Sequence, residues 1–197
     1  MVFFYELFIN PNVLSREQSS PALIYYKYKI SNNFKEKVRS VNWISKQFNQ
    51  LTLEELYEIL FLRCNVFIVE QNCPYLDIDH HDQESTHLFL KNEENIIAYC
   101  RILPPGISYE EASIGRVVVD NNFRGSGHAR ILMEKAIDYI FNEMNLNEIK
   151  ISGQTYLVKF YESLGFIRVS EPYLEDNIEH VDLYLNKSKR EKVRDEI

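Results

Sequence analysis

The stretch that decides the fold is Val117-Val118-Val119-Asp120-Asn121-Asn122-Phe123-Arg124-Gly125-Ser126-Gly127-His128-Ala129-Arg130. Residues 113–120 are β-branched and apolar, which is the composition of a central strand. After the glycines, apolar side chains recur at helical spacing through residues 131–140. A strand, a glycine loop and a helix in this order expose the first amides of the helix, which carry partial positive charge. The stretch therefore predicts an anion-binding junction in an α/β fold.

The loop itself has residues suited to a phosphate group. Gly125 and Gly127 let the main chain approach a ligand closely, and Arg124 adds a charge that can pair with phosphate. One helix end contributes only about 0.3–2 kcal/mol to anion binding, so several amides must act together. The loop is not a Walker loop, and Arg130 stands where a dinucleotide fingerprint needs its third glycine. On this loop alone, an ordinary turn before a helix remains the alternative.

Strands and helices alternate on both sides of this junction. Upstream, the capping box Thr52–Glu55 opens an amphipathic helix that runs through Arg63. The expected strands lie at 43–48, 87–91, 96–103, 113–120, 148–152, 165–169 and 180–185, with a further helix at 155–164. This order predicts one α/β (α+β) domain built around a mixed sheet.

Three parts of the chain differ in character. Residues 1–42 contain the aromatic, partly alternating segment 22–30, and we expect this extension to pack on the domain or on a second subunit. A poorly ordered tail is the alternative. Residues 43–186 form the predicted domain, and residues 187–197 a charged C-terminal tail.

Composition excludes several classes of partner. The 197 residues carry a formal charge of −7, whereas nucleic-acid-binding proteins usually present a basic face. No apolar run approaches the roughly 18 residues of a membrane helix. The first residues carry Glu6 where a signal peptide needs Lys or Arg. We therefore expect a cytoplasmic protein that binds neither nucleic acid nor membrane.

A second segment, Phe160-Tyr161-Glu162-Ser163-Leu164-Gly165-Phe166, places a tyrosine near a helix end and a glycine at the probable C-cap. Such a tyrosine alone is more often a core residue than a catalyst. Together, however, the two segments resemble the paired signatures of the GNAT acetyltransferases. The loop at 124–129 fits the family pattern Gln/Arg-x-x-Gly-x-Gly/Ala, which cradles the coenzyme A pyrophosphate, and Tyr161 matches the usual general acid.

The resemblance implies a GNAT fold, with a central mixed, mostly antiparallel sheet flanked by helices, and acetyl-CoA as co-substrate. Gln154 departs from the Asn that many relatives carry seven residues before the tyrosine. The residues expected to bind acetyl-CoA are Val117, Val118, Val119, Arg124, Gly125, Ser126, Gly127, His128, Ala129, Arg130, Gln154 and Phe160.

The strings at 62–79, 114–119 and 175–180 narrow the resemblance to the ElaA-like branch of the family, over about residues 43–186. The extension and the richness in Asn, Lys and Ile also resemble the glucosamine 6-phosphate N-acetyltransferases of apicomplexan parasites. Those resemblances imply direct acetyl transfer to the primary amine of a small molecule, with glucosamine 6-phosphate as the first choice of acceptor. The alternatives are another amine (a polyamine, an aminoglycoside-like compound or a protein amine) and a non-catalytic acyl-CoA sensor.

Direct transfer needs a neutral amine and a protonated leaving group. An amine with a pKa near 10.4 loses roughly 4.6 kcal/mol at pH 7 in becoming neutral, whereas one near 8 loses about 1.4 kcal/mol. Tyr161 is suited to protonate the thiolate. We choose Glu70 as general base, because the preceding apolar run at 66–69 could desolvate it. The other candidates are Asp79, Asp82, His87, Asp176 and His180.

An anionic acceptor needs cationic partners, for which Arg63, Arg101 and Arg116 are the candidates, with salt bridges as their alternative role. We expect Asp176 and His180 to contact the acceptor as well. The cluster of His80 and His81 with two aspartates could suggest a metal. Consecutive histidines in a polar loop more often face solvent and the implied chemistry needs no metal, so we expect none. The aromatic extension suggests a homodimer.

Overall fold

The computed structural model describes residues 41–93 and 95–190. Residues 1–40 of the predicted N-terminal extension and residues 191–197 of the predicted charged tail lie outside these ranges. The strands are β1 Asn42–Gln47, β2 Thr86–Lys91, β3 Ile96–Leu103, β4 Ser113–Val119, β5 Glu148–Gln154, β6 Ile167–Arg168, β7 Tyr173–Glu175 and β8 Ile178–Asn186. The α-helices are α1 Leu53–Arg63, α2 His128–Asp138 and α3 Val158–Glu162.

The strands form two antiparallel sheets of four strands each. The first has the order β1-β2-β3-β4, and in the second β8 lies between β5 and β6 and also pairs with β7. One parallel bridge, between Ala112 and Ile149, joins the sheets, and the Lys150 amide donates to the Ala112 carbonyl at 2.9 Å. Beyond this bridge no ladder in the described chain links β4 to β5. The two sheets therefore leave a gap between these strands.

Helices cover both faces of the first sheet. On one face α2 buries Met133, Ala136 and Ile137 completely. On the other face α1 packs Ile59 against Phe89, within a separate cluster of buried side chains. Strands covered on both faces need continuous apolar sequence, which explains why β3 is buried at all of its residues. This packing makes β4 a rigid wall for the gap.

The ends of the helices follow their sequence signals. The Thr52 hydroxyl accepts from the Glu55 amide, and the Glu55 carboxylate accepts from the Thr52 amide, which confirms the predicted capping box. The helix does not end at Arg63, however, because it continues as a π-helical segment from Cys64 to Glu70. This continuation was not predicted, and neither was the short strand β7. Among the described residues no helix is long and apolar enough to span a membrane.

Candidate active site

The gap between β4 and β5 opens into a cavity of about 870 Å³. Its walls come from β4, from the loop before α2, from α3, from the β7–β8 hairpin and from the π-helical segment after α1. Residues from both sides of the sheets line it. The cavity therefore lies between the two sheets; the part lined by the glycine loop is called its glycine-loop end, and the part lined by the β7–β8 hairpin its hairpin end.

The glycine-loop end is built from main-chain groups. Gly125 and Gly127 have φ angles of +77° and +80°, a conformation that other residues rarely adopt. In the described chain the N–H groups of residues 125–129 have no main-chain acceptor, since the first helical bonds come from Arg130 and Ile131 to the Gly127 carbonyl. Unpaired amides at the positive end of an eleven-residue helix form a site for phosphate. This geometry fits the pyrophosphate of a CoA thioester.

The wall along β4 contains a β-bulge. Val118 pairs with Tyr99 and Gly115 with Arg101, so Arg116 and Val117 together face the single residue Cys100. Arg116 has a φ of +53°, and the bulge interrupts the ladder beside the cavity. An interrupted ladder leaves main-chain groups available to an extended ligand that lies along β4. The pantetheine arm of CoA is such a ligand.

Tyr161 reaches the cavity from α3 and is otherwise buried, with 6% of its surface exposed. Its ring rests on Gly153, where an added Cβ would lie 2.8 Å from the ring and from Leu183. A glycine turn fixes the helix end: Phe166 N donates to the Tyr161 carbonyl, and Gly165, with φ +97°, donates to the Glu162 carbonyl. Burial raises the pKa of Tyr161 to about 12, so the phenol keeps its proton at neutral pH.

The three arginines considered for a phosphate acceptor are all bound to aspartates. Arg63 is completely buried and donates to the carboxylates of Asp77 (2.9 Å) and Asp82 (2.8 Å). Arg101 donates to Asp79 and Asp82. Arg116 donates to Asp77 at 2.7 Å and to Asp79 at 3.1 Å. Three positive and three negative charges thus form a closed network, in which the carboxylates compensate the guanidinium groups.

Three of the candidate general bases either belong to this network or contact one of its members. Asp79 and Asp82 are held by arginines, and the Arg101 hydrogen bond helps to keep the pKa of Asp79 well below its usual range despite the opposing effect of burial. His87 is fully buried, and burial lowers its pKa. Its ring nitrogens contact the Tyr99 hydroxyl and the Asp82 carbonyl, each at 2.9 Å. These three side chains do not line the cavity.

Glu70 lies at the end of the π-helical segment and faces the glycine loop. Arg124 donates to its two carboxylate oxygens at 2.6 and 2.9 Å. This hydrogen bond lowers the pKa of Glu70, and 42% of the side chain is exposed. Glu70 is therefore less desolvated than the apolar run before it suggested, because its carboxylate lies partly in solvent beside an arginine and the adjacent Val69 is itself 66% exposed.

The hairpin end of the cavity is formed by the β7–β8 hairpin. Asp176 and Asn177 form its two-residue turn, both with positive φ, at 49° and 63°. The Cys73 thiol donates to the Asp176 carbonyl at 3.3 Å, which ties the turn to the segment after the π-helix. Glu175 precedes the turn, and His180 follows it with Nδ1 2.8 Å from the Ile178 carbonyl. This end therefore combines carboxylates, hydroxyl groups and one imidazole.

The structure brings most of the predicted site residues to one cavity. Besides the candidate bases Asp79, Asp82 and His87, the exceptions are Ser126, which is exposed outside the cavity, and Arg63, which is completely buried and does not line it. The predicted residues that line the cavity are Glu70, Arg101, Arg116, Val117, Val118, Val119, Arg124, Gly125, Gly127, His128, Ala129, Arg130, Gln154, Phe160, Tyr161, Asp176 and His180.

Sequence reasoning missed Gly153 and Glu175. An isolated glycine within a strand signals a close approach of another group, which here is the Tyr161 ring. Glu175 could have been placed from the Asp-Asn pair that follows it, since both residues tolerate the positive φ of a tight hairpin. Neither signal by itself indicates that the residue reaches a cavity.

A cavity with a phosphate-binding helix end, a bulged strand for a pantetheine arm and a buried tyrosine defines a CoA-dependent acyltransferase. Residues 54–187 match the model of the acetyltransferase (GNAT) domain. ElaA of Escherichia coli is 37% identical over 73% of this chain and 95% of its own length, and a UPF0039 protein of Schizosaccharomyces pombe is 39% identical over 74% and 97%. The chain therefore belongs to the GNAT acetyltransferase family.

Solved structures agree with this assignment. An acyl-CoA N-acyltransferase from Pseudomonas aeruginosa superposes with a TM-score of 0.71 at 37% identity, covering 74% of this chain and 99% of that one. The crystal structure of E. coli ElaA gives a TM-score of 0.70 at 35% identity, covering 75% and 100%. The fold is the GNAT fold, and the chain is an N-acetyltransferase that uses a CoA-linked acyl donor.

Proposed function

We propose that this enzyme transfers an acetyl group from acetyl-CoA directly to the primary amine of a small molecule. The observation that carries the proposal is the single cavity that joins the glycine loop, the β4 bulge and Tyr161. The loop amides would hold the pyrophosphate, and the bulged strand would hold the pantetheine arm along Val117 to Val119. The thioester would then lie in the gap, within reach of the phenol.

In this arrangement each group of the chain has a distinct task. A main-chain N–H of the bulge polarises the thioester carbonyl, whose oxygen gains negative charge when the amine attacks. The carbon–nitrogen bond forms and the carbon–sulfur bond breaks, and the departing thiolate takes the proton of Tyr161. Burial raises the pKa of Tyr161, so the phenol is protonated at neutral pH and is available as a donor.

Glucosamine 6-phosphate, the acceptor first expected from the sequence, finds little support in the site. A phosphate monoester needs uncompensated cations, whereas Arg101 and Arg116 line the cavity already paired with aspartates. Binding the sugar phosphate would require these buried pairs to open. The site therefore favours an amine without a phosphate group, and the identity of the acceptor has to come from an assay.

Two further expectations remain proposals. A homodimer through residues 1–42 would be tested by light scattering of the full chain and of a variant without those residues. A monomer in the full chain, or an unchanged dimer in the shortened one, would contradict it. A cytoplasmic location is likewise proposed from sequence, and fractionation of cells that express the chain would test it.

The experiment that tests the proposed function is a thiol-release assay with acetyl-CoA and a panel of amines that includes spermidine, glucosamine, glucosamine 6-phosphate and a lysine peptide. We expect saturable, amine-dependent release of CoA that Tyr161→Phe slows by about 10²–10⁴-fold. Tight binding of acetyl-CoA with no turnover on any amine would instead favour an acyl-CoA sensor.

A further inference from the structure

The positive charges that line the cavity all have carboxylate partners, whereas some of its negative charges take part in no ion pair among the described residues. The arginines and their partners are Arg101 with Asp79 and Asp82, Arg116 with Asp77 and Asp79, Arg124 with Glu70, and Arg130 with Glu134 at 3.9 Å. No lysine lines the cavity in the described part of the chain. A ligand that enters between the sheets therefore meets arginines whose charge is already offset.

The carboxylates of the cavity differ in this respect. Glu70 is bound to Arg124, but Glu175 and Asp176 take part in none of the ion pairs found among the described residues. Both belong to the β7–β8 hairpin, and both are exposed to solvent where they line the cavity. Because no ion-pair partner among the described residues offsets their charges, this part of the cavity favours an ammonium group over a phosphate.

A hydrogen bond across to β5 holds the Glu175 carboxylate at the cavity wall. The Ser152 hydroxyl donates to Glu175 Oε2 at 3.0 Å. Side chains alternate along a strand, so Ser152 faces the opposite side of β5 from Gly153, on which the Tyr161 ring rests. Glu175 and Tyr161 thus approach the gap from opposite faces of the sheet. An amine bound at Glu175 would meet the thioester on the side away from the phenol.

We propose that the acceptor is a small organic cation without an anionic group, and that Glu175 binds its ammonium and removes the proton that must leave before attack. This inference rests on the proposed acetyl transfer and names its acceptor class and its base. Glu175 takes one proton from the ammonium and later releases it to solvent. The nitrogen loses a second proton as it becomes an amide, and this proton restores the Tyr161 phenol through solvent after the phenol has protonated the sulfur.

The test compares Glu175→Gln with the matched control Glu171→Gln. Glu171 lies outside the cavity, its side chain is 96% exposed, and it pairs only with Arg168 across one turn of chain. The acceptors are spermidine, glucosamine and glucosamine 6-phosphate, of which the last two differ only in the phosphate. For each protein, acetyl-CoA affinity is measured by calorimetry, and kcat/KM for the amine is measured from pH 6 to pH 10.

We expect the wild type to prefer glucosamine or spermidine to the sugar phosphate. In Glu175→Gln, kcat/KM at pH 7 should fall about 10²-fold and recover as pH rises toward the pKa of the amine, because a free amine no longer needs the base. The control should match the wild type, and acetyl-CoA affinity should be unchanged in all three proteins.

Preference for glucosamine 6-phosphate would overturn the inference, and so would a Glu175→Gln profile equal to that of the control, while both would leave acetyl transfer intact. Failure of the wild type to bind acetyl-CoA would overturn the proposed function, and this inference with it. A uniform loss in Glu175→Gln that does not recover with pH would indicate a structural role and would also overturn the assignment as base.

Discussion

The two ends of the cavity are formed by different kinds of chemical group. The donor end consists of main-chain amides, two glycines with positive φ and one helix terminus, all within residues 124–130. The acceptor end consists of side chains from segments far apart in sequence, such as Glu175 and Ser152, backed by ion pairs that span up to 39 residues. The donor end is therefore suited to a ligand common to a whole family, and the acceptor end can change with single substitutions.

The largest effect on activity is expected for Tyr161→Phe, because Tyr161 lies between the two ends. Loss of the phenolic hydroxyl should lower kcat about 10²–10⁴-fold and leave the dissociation constant for acetyl-CoA unchanged. The acid works only while protonated, so activity that depends on it persists below the raised pKa of about 12 and is lost only as pH rises through it. Steady-state kinetics from pH 6 to pH 10 check both points, and a wild-type kcat in the variant would remove Tyr161 from the mechanism.

The next effect concerns the ion network behind the acceptor end. In Asp82→Asn, the buried Arg63 and Arg101 lose a shared carboxylate, and the free energy of unfolding should fall by about 3–5 kcal/mol. Urea denaturation measures it. Glu134→Gln is the control, because its ion pair with Arg130 is exposed and should contribute less than about 1 kcal/mol. Equal losses in the two variants would show that the network is not a structural support.

Gly153→Ala should have a smaller effect. This variant tests how the Tyr161 ring is packed rather than the chemistry of its hydroxyl group. The new methyl group would lie 2.8 Å from the Tyr161 ring and from Leu183, and overpacking of this kind costs roughly 1–3 kcal/mol. We expect lower stability in urea together with a lower kcat. Gly115→Ala is the stability control, since its Cβ meets only Arg101 Nε at 3.9 Å. A Gly153→Ala protein as stable as this control would contradict the close packing.

The smallest effect is expected at the donor end, where Glu70 competes with phosphate for Arg124. Glu70→Gln should tighten acetyl-CoA binding by at most about fivefold, because an exposed ion pair contributes less than about 1 kcal/mol. Calorimetry measures the dissociation constant. The pH–rate profile should stay unchanged, since Glu70 is bound to Arg124 rather than placed to receive a proton. A shifted profile would restore Glu70 as a base.

Sequence was informative where the structure depends on local chain conformation. The capping box at Thr52, the glycine loop before α2 and the C-terminal glycine after α3 each act within a few residues, so their spacing alone predicts them. The family resemblance joined the loop to Tyr161, and the structure places both in one cavity.

The sequence was uninformative where the interacting residues lie far apart along the chain. Nothing in the spacing of Arg63, Arg101 and Arg116 tells whether they bind a substrate phosphate or Asp77, Asp79 and Asp82, because the choice depends on how β3, β4 and the loop after α1 pack. The π-helical continuation at Cys64 likewise has no signal in the local sequence, and it places Glu70 at its last position. The sequence for this reason left open whether the arginines bind a substrate phosphate or form salt bridges.

The central claim, that the glycine loop holds an acyl-CoA, is tested most directly by titrating acetyl-CoA into the wild type and into Gly127→Val. Gly127 has a φ of +80°, which a β-branched residue rarely adopts, and a new Cβ there would have no neighbour within 4 Å, so valine would disturb the loop through its backbone preference. We predict saturable one-to-one binding in the wild type and a loss of at least about tenfold, or 1.4 kcal/mol, in the variant. Equal affinities, or no binding by the wild type, would contradict the account.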